Sequence, residues 1–333
     1  MKKFVWFLTI ILALSVVLTA CGAAQPVATE ASAKPFRVAV ILPSAKNDMA
    51  FSQSMYDALV HIQNEMGAEN FEFVYSEGMF VVDDAAAAIR DYASQGYNLV
   101  IAHGSQYGSS LQEIAPDFPE TSFAWGTTVD TFGQPNIFAY ESAAHEGGYV
   151  NGVLAATLTK SKSIGIVAPI ETGDAKLYVE GFKQGVAATD PTVEVNVNYI
   201  GSFSDIALAA EAANTHISNG ADVLTGTAQM VVGAIGKAEE NNVLWFASDA
   251  NQASLAPSIV VDSQVYHWEV VLKEMIGLIQ KGTLGGQSFA ISLKNGGEVM
   301  EFNPDYDLPS DVRALADQTI KGITDGSIKI NLP

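Results

Sequence analysis

Cysteine is almost missing from this chain: Cys21 is the only one among 333 residues. A framework of internal disulfides is therefore excluded, as are thiolate metal sites, which draw on several sulfurs. Positive charge is scarce too. Seventeen Lys and Arg side chains stand against 37 Asp and Glu, giving a formal charge of -20, a balance that argues against nucleic acid and anionic lipid surfaces as partners. Such acidity reads first as a solubility device and does not make a ligand cationic. The five histidines, His61, His103, His145, His216 and His267, lack the paired spacing of a zinc site. Gly233 and Gly236 complete no phosphate loop, and Walker and nucleophile-elbow patterns do not occur. Carboxylates are plentiful, yet nothing fixes two of them at catalytic separation. No catalytic residue, metal ligand or cofactor is expected.

What is present starts at the N-terminus. Lys2 and Lys3 precede an apolar run from Phe4 to Ala20, which Leu18-Thr19-Ala20-Cys21 closes with small residues. A positive n-region, a short apolar h-region and a small-residue cleavage site make an export signal, with Cys21 as the residue after the cut. The competing reading is a retained signal anchor, since a run of roughly 17 residues touches the lower limit for a spanning helix. A lone cysteine at the cleavage site favours the signal. This stretch resembles bacterial lipoprotein signals, which implies that Cys21 carries a lipid and that the protein works outside the cytoplasm, anchored to the cell membrane. Residues 1–20 are then the signal and 21–35 a tether rich in Ala, Ser, Thr, Gln and Pro, without apolar periodicity. The roughly 300 residues that remain suit two domains better than one core.

Along the body, short apolar runs alternate with segments of helical spacing. Phe36 to Leu42 predicts a buried strand, and Phe51 to Met66 a helix ending at Gly67. The pattern repeats through strands at Phe71–Tyr75, Leu99–Ala102, Ser122–Trp125 and Ile137–Tyr140, with helices at Asp83–Ala93 and Leu111–Ala115 between them. A second series runs from a helix at Glu146–Thr159 to a strand at Val243–Ala247, and short strands and a helix at Asp311–Ile323 close the chain. Strands separated by helices mean parallel sheets with right-handed crossovers. Polar and aromatic residues collect at one recurring place, the C-terminal ends of the strands: Asn47 and Asp48 after the first, His103 to Gln106 after the third, and Trp125 at the fourth. In the second series Phe203, Thr227, Gln229 and Asp249 hold the same place. Ligands of open α/β sheets bind along that edge, and two such edges facing each other make a cleft.

Four stretches in order, NDMAFSQSMYDAL (47–59), HEGGYVNGVLAA (145–156), GFKQGVAATDPTVEVNVNYIGSFSD (181–205) and NGADVLTG (219–226), resemble the basic membrane protein family. Its members are substrate-binding lipoproteins of ABC transporters with the type I periplasmic-binding fold, and their known ligands are purine nucleosides or bases. The resemblance implies two doubly wound α/β domains joined by a hinge, a small-molecule ligand and an ABC permease as partner. Phe51 and Phe203 match aromatics that pack on the ligand ring from opposite domains; for either one, core packing is the alternative. Asp48 and Asp249 match carboxylates of cleft loops, and Asp48 also suits a helix cap. Ser105 and Gln106 are candidate polar contacts. Trp125 and Trp268 could each face the cleft or the core, and Glu146 matches a glutamate that supports the hinge. YHWEVVLKEMIGLIQKGT (266–283) looks most like the branch with a tryptophan-containing motif. It lacks the lysine near Tyr266 that is commoner in the nucleoside-binding branch, and Ala250-Asn251 stands where relatives often have a second acid.

These observations predict a substrate-binding lipoprotein of an ABC importer that closes on a purine base or nucleoside. The alternatives are a lipoprotein that senses a ligand and signals to a membrane receptor, and a surface-attached hydrolase. Residues 36–139 with 262–284 are expected in the first domain, and 140–261 with 285–333 in the second.

Overall fold

The computed structural model describes residues 34–332, so the expected signal, Cys21 and most of the tether lie outside the described residues. β1 (Phe36–Ile41) buries nearly every side chain of FRVAVI because neighbours flank it on both edges and helices cover both faces. It pairs in parallel with β2 (Phe71–Ser76) and β3 (Leu99–Ala102). α1 (Phe51–Met66) buries Met55, Ala58, Leu59 and Ile62, one stripe at helical spacing. It stops at Gly67, whose φ of 83° is left-handed backbone that glycine adopts without a Cβ clash. α2 (Val82–Ser94), α3 (Gly108–Ile114), β4 (Ser122–Gly126) and β5 (Ile137–Ser142) complete the first series.

The second series comprises α4 (His145–Leu158), β6 (Ser163–Ala168), α5 (Gly173–Thr189), β7 (Glu194–Tyr199), α6 (Ile206–Ser218) and β8 (Val223–Gly226). α7 (Val231–Glu240), β9 (Leu244–Ala247) and β10 (Val260–Tyr266) follow. α8 (Glu269–Ile279), β11 (Ser288–Ile291), β12 (Glu298–Phe302) and α9 (Ser310–Thr324) finish the chain. Two six-stranded sheets result, ordered β11-β5-β4-β3-β1-β2 and β12-β10-β9-β8-β6-β7. All pairs are parallel except β10 with β12. The strand order reverses between β1 and β3 in one sheet and between β6 and β8 in the other. At such switch points the flanking helices diverge and open a crevice.

Two short strands depart from the expected division of the chain. β10 runs to Tyr266 beside β9, with Val260 opposite Trp245, so the boundary at 262 falls inside a strand of the second sheet. β11 extends the first sheet, with Ser288 opposite Ala139, although residues 285–333 were expected in the second domain. A four-residue strand carries no periodicity that names its sheet; only pairing with a distant strand decides it. The chain passes between the sheets after β5, after β10 and after β11. One buried carboxyl ties these crossings together. Glu298 accepts a hydrogen bond from Ser142 Oγ and one of 3.1 Å from Gln264 Nε2. Its burial pushes the carboxyl up to about 8, so it holds its proton at neutral pH.

The helices α4 and α5 touch backbone to backbone. A Cβ placed on Gly152 would lie 2.1 Å from Phe182 O, one on Gly181 2.1 Å from His145 O, and one on Gly185 2.2 Å from Tyr149 O. Gly148, Gly152, Gly181 and Gly185 of HEGGYVNG and GFKQG are therefore a packing surface between the two helices, whereas a Cβ on Gly147 would meet the side chain of Gln264. That surface fixes α5, whose first turn faces the cleft.

Candidate ligand site

A cleft at the C-terminal strand ends holds about 480 Å³ of empty space, part of it open to solvent. Pro43, Phe51, Phe80, Gly104, Ser105, Gln106 and Thr127 line it from the loops after β1 to β4, with Phe51 on the first turn of α1. Thr172, Asp174, Ala175, Phe203, Thr227, Ala228, Gln229 and Asp249 line it from the loops and helix starts after β6 to β9. Phe51 and Phe203, expected from opposite domains, thus share one cleft.

Phe51 is held rigidly. Its ring stacks on His103, with centroids 3.8 Å apart and planes 6° from parallel, and Trp268 meets it edge-on at 6.3 Å. Burial drives the His103 imidazole down to about 3, so the ring is neutral. Its Nε2 lies 3.1 Å from Phe51 O and its Nδ1 2.8 Å from Tyr140 Oη. A carbonyl only accepts, so Nε2 carries the proton and Nδ1 accepts from the tyrosine hydroxyl. The histidine that sequence reading left without a role fixes both the main chain and the ring of Phe51. On the opposite wall, Met230 N donates to Phe203 O at 3.1 Å, tying the Phe203 loop to the start of α7.

Asp249 is fully enclosed and has a φ of 72°, close to the 73° of Ala228. Its Oδ2 accepts from Ala228 N at 2.8 Å, and Thr227 Oγ1 lies 3.3 Å from both oxygens. Desolvation pushes this carboxyl up to about 6 against the pull of those donors, with the Asp48 charge adding to the rise. Two buried residues in left-handed backbone at a loop contact store strain of the kind that functional sites hold in place. Asp174, in the first turn of α5, is buried also. Ser142 N donates to its Oδ1 at 3.3 Å. Burial, then Glu141, raises its carboxyl well above the ordinary range. Among the described residues, no Lys, Arg or His lines the cleft.

Ser105 and Gln106 also reach the lining, whereas Asn47, Asp48, Trp125, Trp268 and Glu146 do not. Asn47 is exposed on the loop before α1. Asp48 accepts backbone N–H groups of Ala50, Ser52 and Gln53 at 2.9 to 3.1 Å, which is the capping role and occupies both oxygens. Trp125 stacks on Phe132 at 4.8 Å and donates to Gly104 O at 3.2 Å, supporting the glycine turn from behind. Trp268 lies in the core, donates to Ser54 Oγ at 2.9 Å and packs edge-on against Tyr140 and Tyr266. Glu146 accepts from Leu293 N at 2.8 Å, beside the third crossing. Sequence reading missed Phe80, Thr127, Thr172 and Asp174. Asp174 carries an ordinary explanation, since an acid in a first turn offsets the helix dipole, and nothing in its spacing shows that it faces a cleft.

The chain is similar to the transcriptional activator protein Med of Bacillus subtilis, with 24% identity over 86% of this chain and 87% of Med. It is similar to a purine-binding protein of Brucella abortus, with 25% identity over 78% of this chain and 73% of that protein. Among solved structures, an ABC transporter solute-binding protein from Aeropyrum pernix K1 shares the fold with a TM-score of 0.76. Identity to it is 19%, over 90% of this chain and 94% of that one. The profile of the Bmp family, ABC transporter substrate-binding protein PnrA-like, matches residues 36–330, and the chain belongs to that family.

Proposed function

We propose that this substrate-binding protein captures a purine base or nucleoside in the cleft and delivers it to an ABC permease from outside the cytoplasm, held to the membrane by a lipid on Cys21. One observation carries the ligand reading: Phe51 and Phe203 enter the same cleft from opposite domains. Two aromatics on either side of a planar ring gain dispersion, offset stacking and exclusion of water. The similarity to the purine-binding protein of Brucella abortus supports a purine as that ring. The closed form is favoured because a ligand seated between the domains touches both, whereas in an open form it touches one.

The base contributes more than the sugar. In Ala250-Asn251, where relatives often have a second acid, Ala250 carries no polar side chain and Asn251 is exposed and donates to Glu301 Oε2 at 2.6 Å. Asp249 already accepts from Ala228 and Thr227. Calorimetric titration of adenine against adenosine, and guanine against guanosine, tests this: each base is expected to bind within about tenfold of its nucleoside. A nucleoside advantage above roughly a hundredfold, about 2.7 kcal/mol, contradicts base dominance, and the absence of binding by all four contradicts the purine reading. For the anchor, Cys21→Ser is expected to abolish incorporation of labelled fatty acid while leaving the body folded; continued labelling would refute it.

A further inference from the structure

We propose that Asp174 and Gln229 form an acceptor edge of the cleft that selects ligands by an exocyclic amino group. Asp174 is 6% exposed and Gln229 7%, and both line the cleft. Among the described residues, neither Asp174 Oδ2 nor Gln229 Oε1 meets a hydrogen-bond donor. Buried polar atoms in native proteins are nearly always paired. Two unpaired acceptors in one ligand cleft are accounted for by donors that the ligand brings. Asp249 differs, because both of its oxygens are met by protein groups.

Access to Asp174 is built into the chain. Gly173 precedes it with a φ of 51°, and a Cβ there would lie 2.8 Å from Thr127 Oγ1 across the cleft. Glycine lets this loop close on the first domain and aims the start of α5 inward. The groups facing Asp174 are the carboxyls of Glu141, Asp249 and Glu298 and the hydroxyls of Tyr140 and Tyr266. None supplies positive charge. A ligand N–H placed on Oδ2 stabilises the ionised carboxylate against the negative charge of Glu141 and Asp249, so binding releases a proton and affinity rises with pH. A ligand that offered only acceptors would need the protonated acid, and its affinity would fall with pH.

This inference rests on the cleft being the ligand site of the proposed function. The test titrates wild type by calorimetry with pairs differing in one amino group: adenine and purine, guanine and hypoxanthine, cytosine and pyrimidin-2-one. The amino-bearing member of a bound pair is expected to bind at least about tenfold tighter, with affinity rising from about pH 5.5 to about pH 8. Asp174→Asn keeps an oxygen for Ser142 N but turns an N–H toward the ligand. It should lose the preference and weaken the amino-bearing member about 10- to 100-fold. Gln229→Met, which removes the second acceptor without touching that main-chain contact, should weaken it about tenfold. Equal affinity within the pairs, affinity falling with pH, or a preference that survives both variants overturns the inference. Purines that bind without amino preference overturn it and leave the purine reading standing. Selection of cytosine over pyrimidin-2-one supports the acceptor edge and, when adenine, guanine and their nucleosides all fail to bind, overturns the purine reading; binding by no member of the panel overturns the inference, and the purine reading falls with it only when adenosine and guanosine fail too.

Discussion

Replacing Phe51 or Phe203 by Ala is expected to weaken purine binding by about 1–3 kcal/mol each, and the double variant should bind too weakly to titrate. Truncation removes a stacked, desolvated face in each case and leaves the ligand ring covered on one side only. Phe51 should be the more costly of the two. Its ring is fixed by the 3.8 Å stack on His103 and by the hydrogen bond from that histidine to its own carbonyl. It therefore loses little conformational freedom when a ligand lands on it. Unchanged affinity in both single variants, with circular dichroism confirming the fold, would exclude the aromatic pair as the binding element.

Gly181→Val should destabilise the protein by about 3 kcal/mol or more. Overpacking a core usually costs about 1–3 kcal/mol, and relaxation normally comes from side chains that swing aside. At Gly181 the obstacle is His145 O at 2.1 Å, a carbonyl of the neighbouring helix, so α4 and α5 must separate along their length. Gly236 in α7 provides the comparison, because a Cβ there meets nothing within 4 Å. Gly236→Ala should raise stability by up to about 1 kcal/mol through helix propensity alone. Thermal unfolding of both variants decides the matter. A Gly181→Val midpoint equal to wild type would mean that the helices are not in backbone contact.

The strands and helices were legible wherever burial leaves a period or a continuous run. FRVAVI at β1 and LVIA at β3 are buried almost throughout, and the stripe of Met55, Ala58, Leu59 and Ile62 on α1 has the spacing of one helix face. The sheet that a short segment joins was not legible. SFAI at β11 reaches its place only by pairing with Ile137–Ser142, nearly 150 residues away along the chain. Within the cleft lining, loop position after a strand was enough to single out Ser105, Gln106, Phe203, Thr227, Gln229 and Asp249, whereas Phe51, on a helix, came only from the family resemblance. Loop position could not tell side chains facing the cleft from those backing it. Trp268 and Trp125 follow or end strands as the cleft residues do, yet their indole N–H groups find acceptors behind the lining. Phe80 and Asp174 face the cleft from ordinary-looking positions, since the direction of a loop side chain depends on backbone angles that no periodicity encodes. The glycines of α4 and α5 were read as part of a family motif. Their reason is the close helix contact, visible only when both helices are in place.

The central claim is that the two domains hold a planar ring between Phe51 and Phe203. A crystal structure of the protein with its tightest-binding purine tests this most directly. The account predicts the ring in the cleft with both phenyl rings on its faces, parallel or offset at about 3.5–4 Å between contacting atoms, and an amino group toward Asp174 and Gln229. A purine bound outside the cleft, or within it with Phe51 still packed on His103 alone and Phe203 turned away, would contradict it.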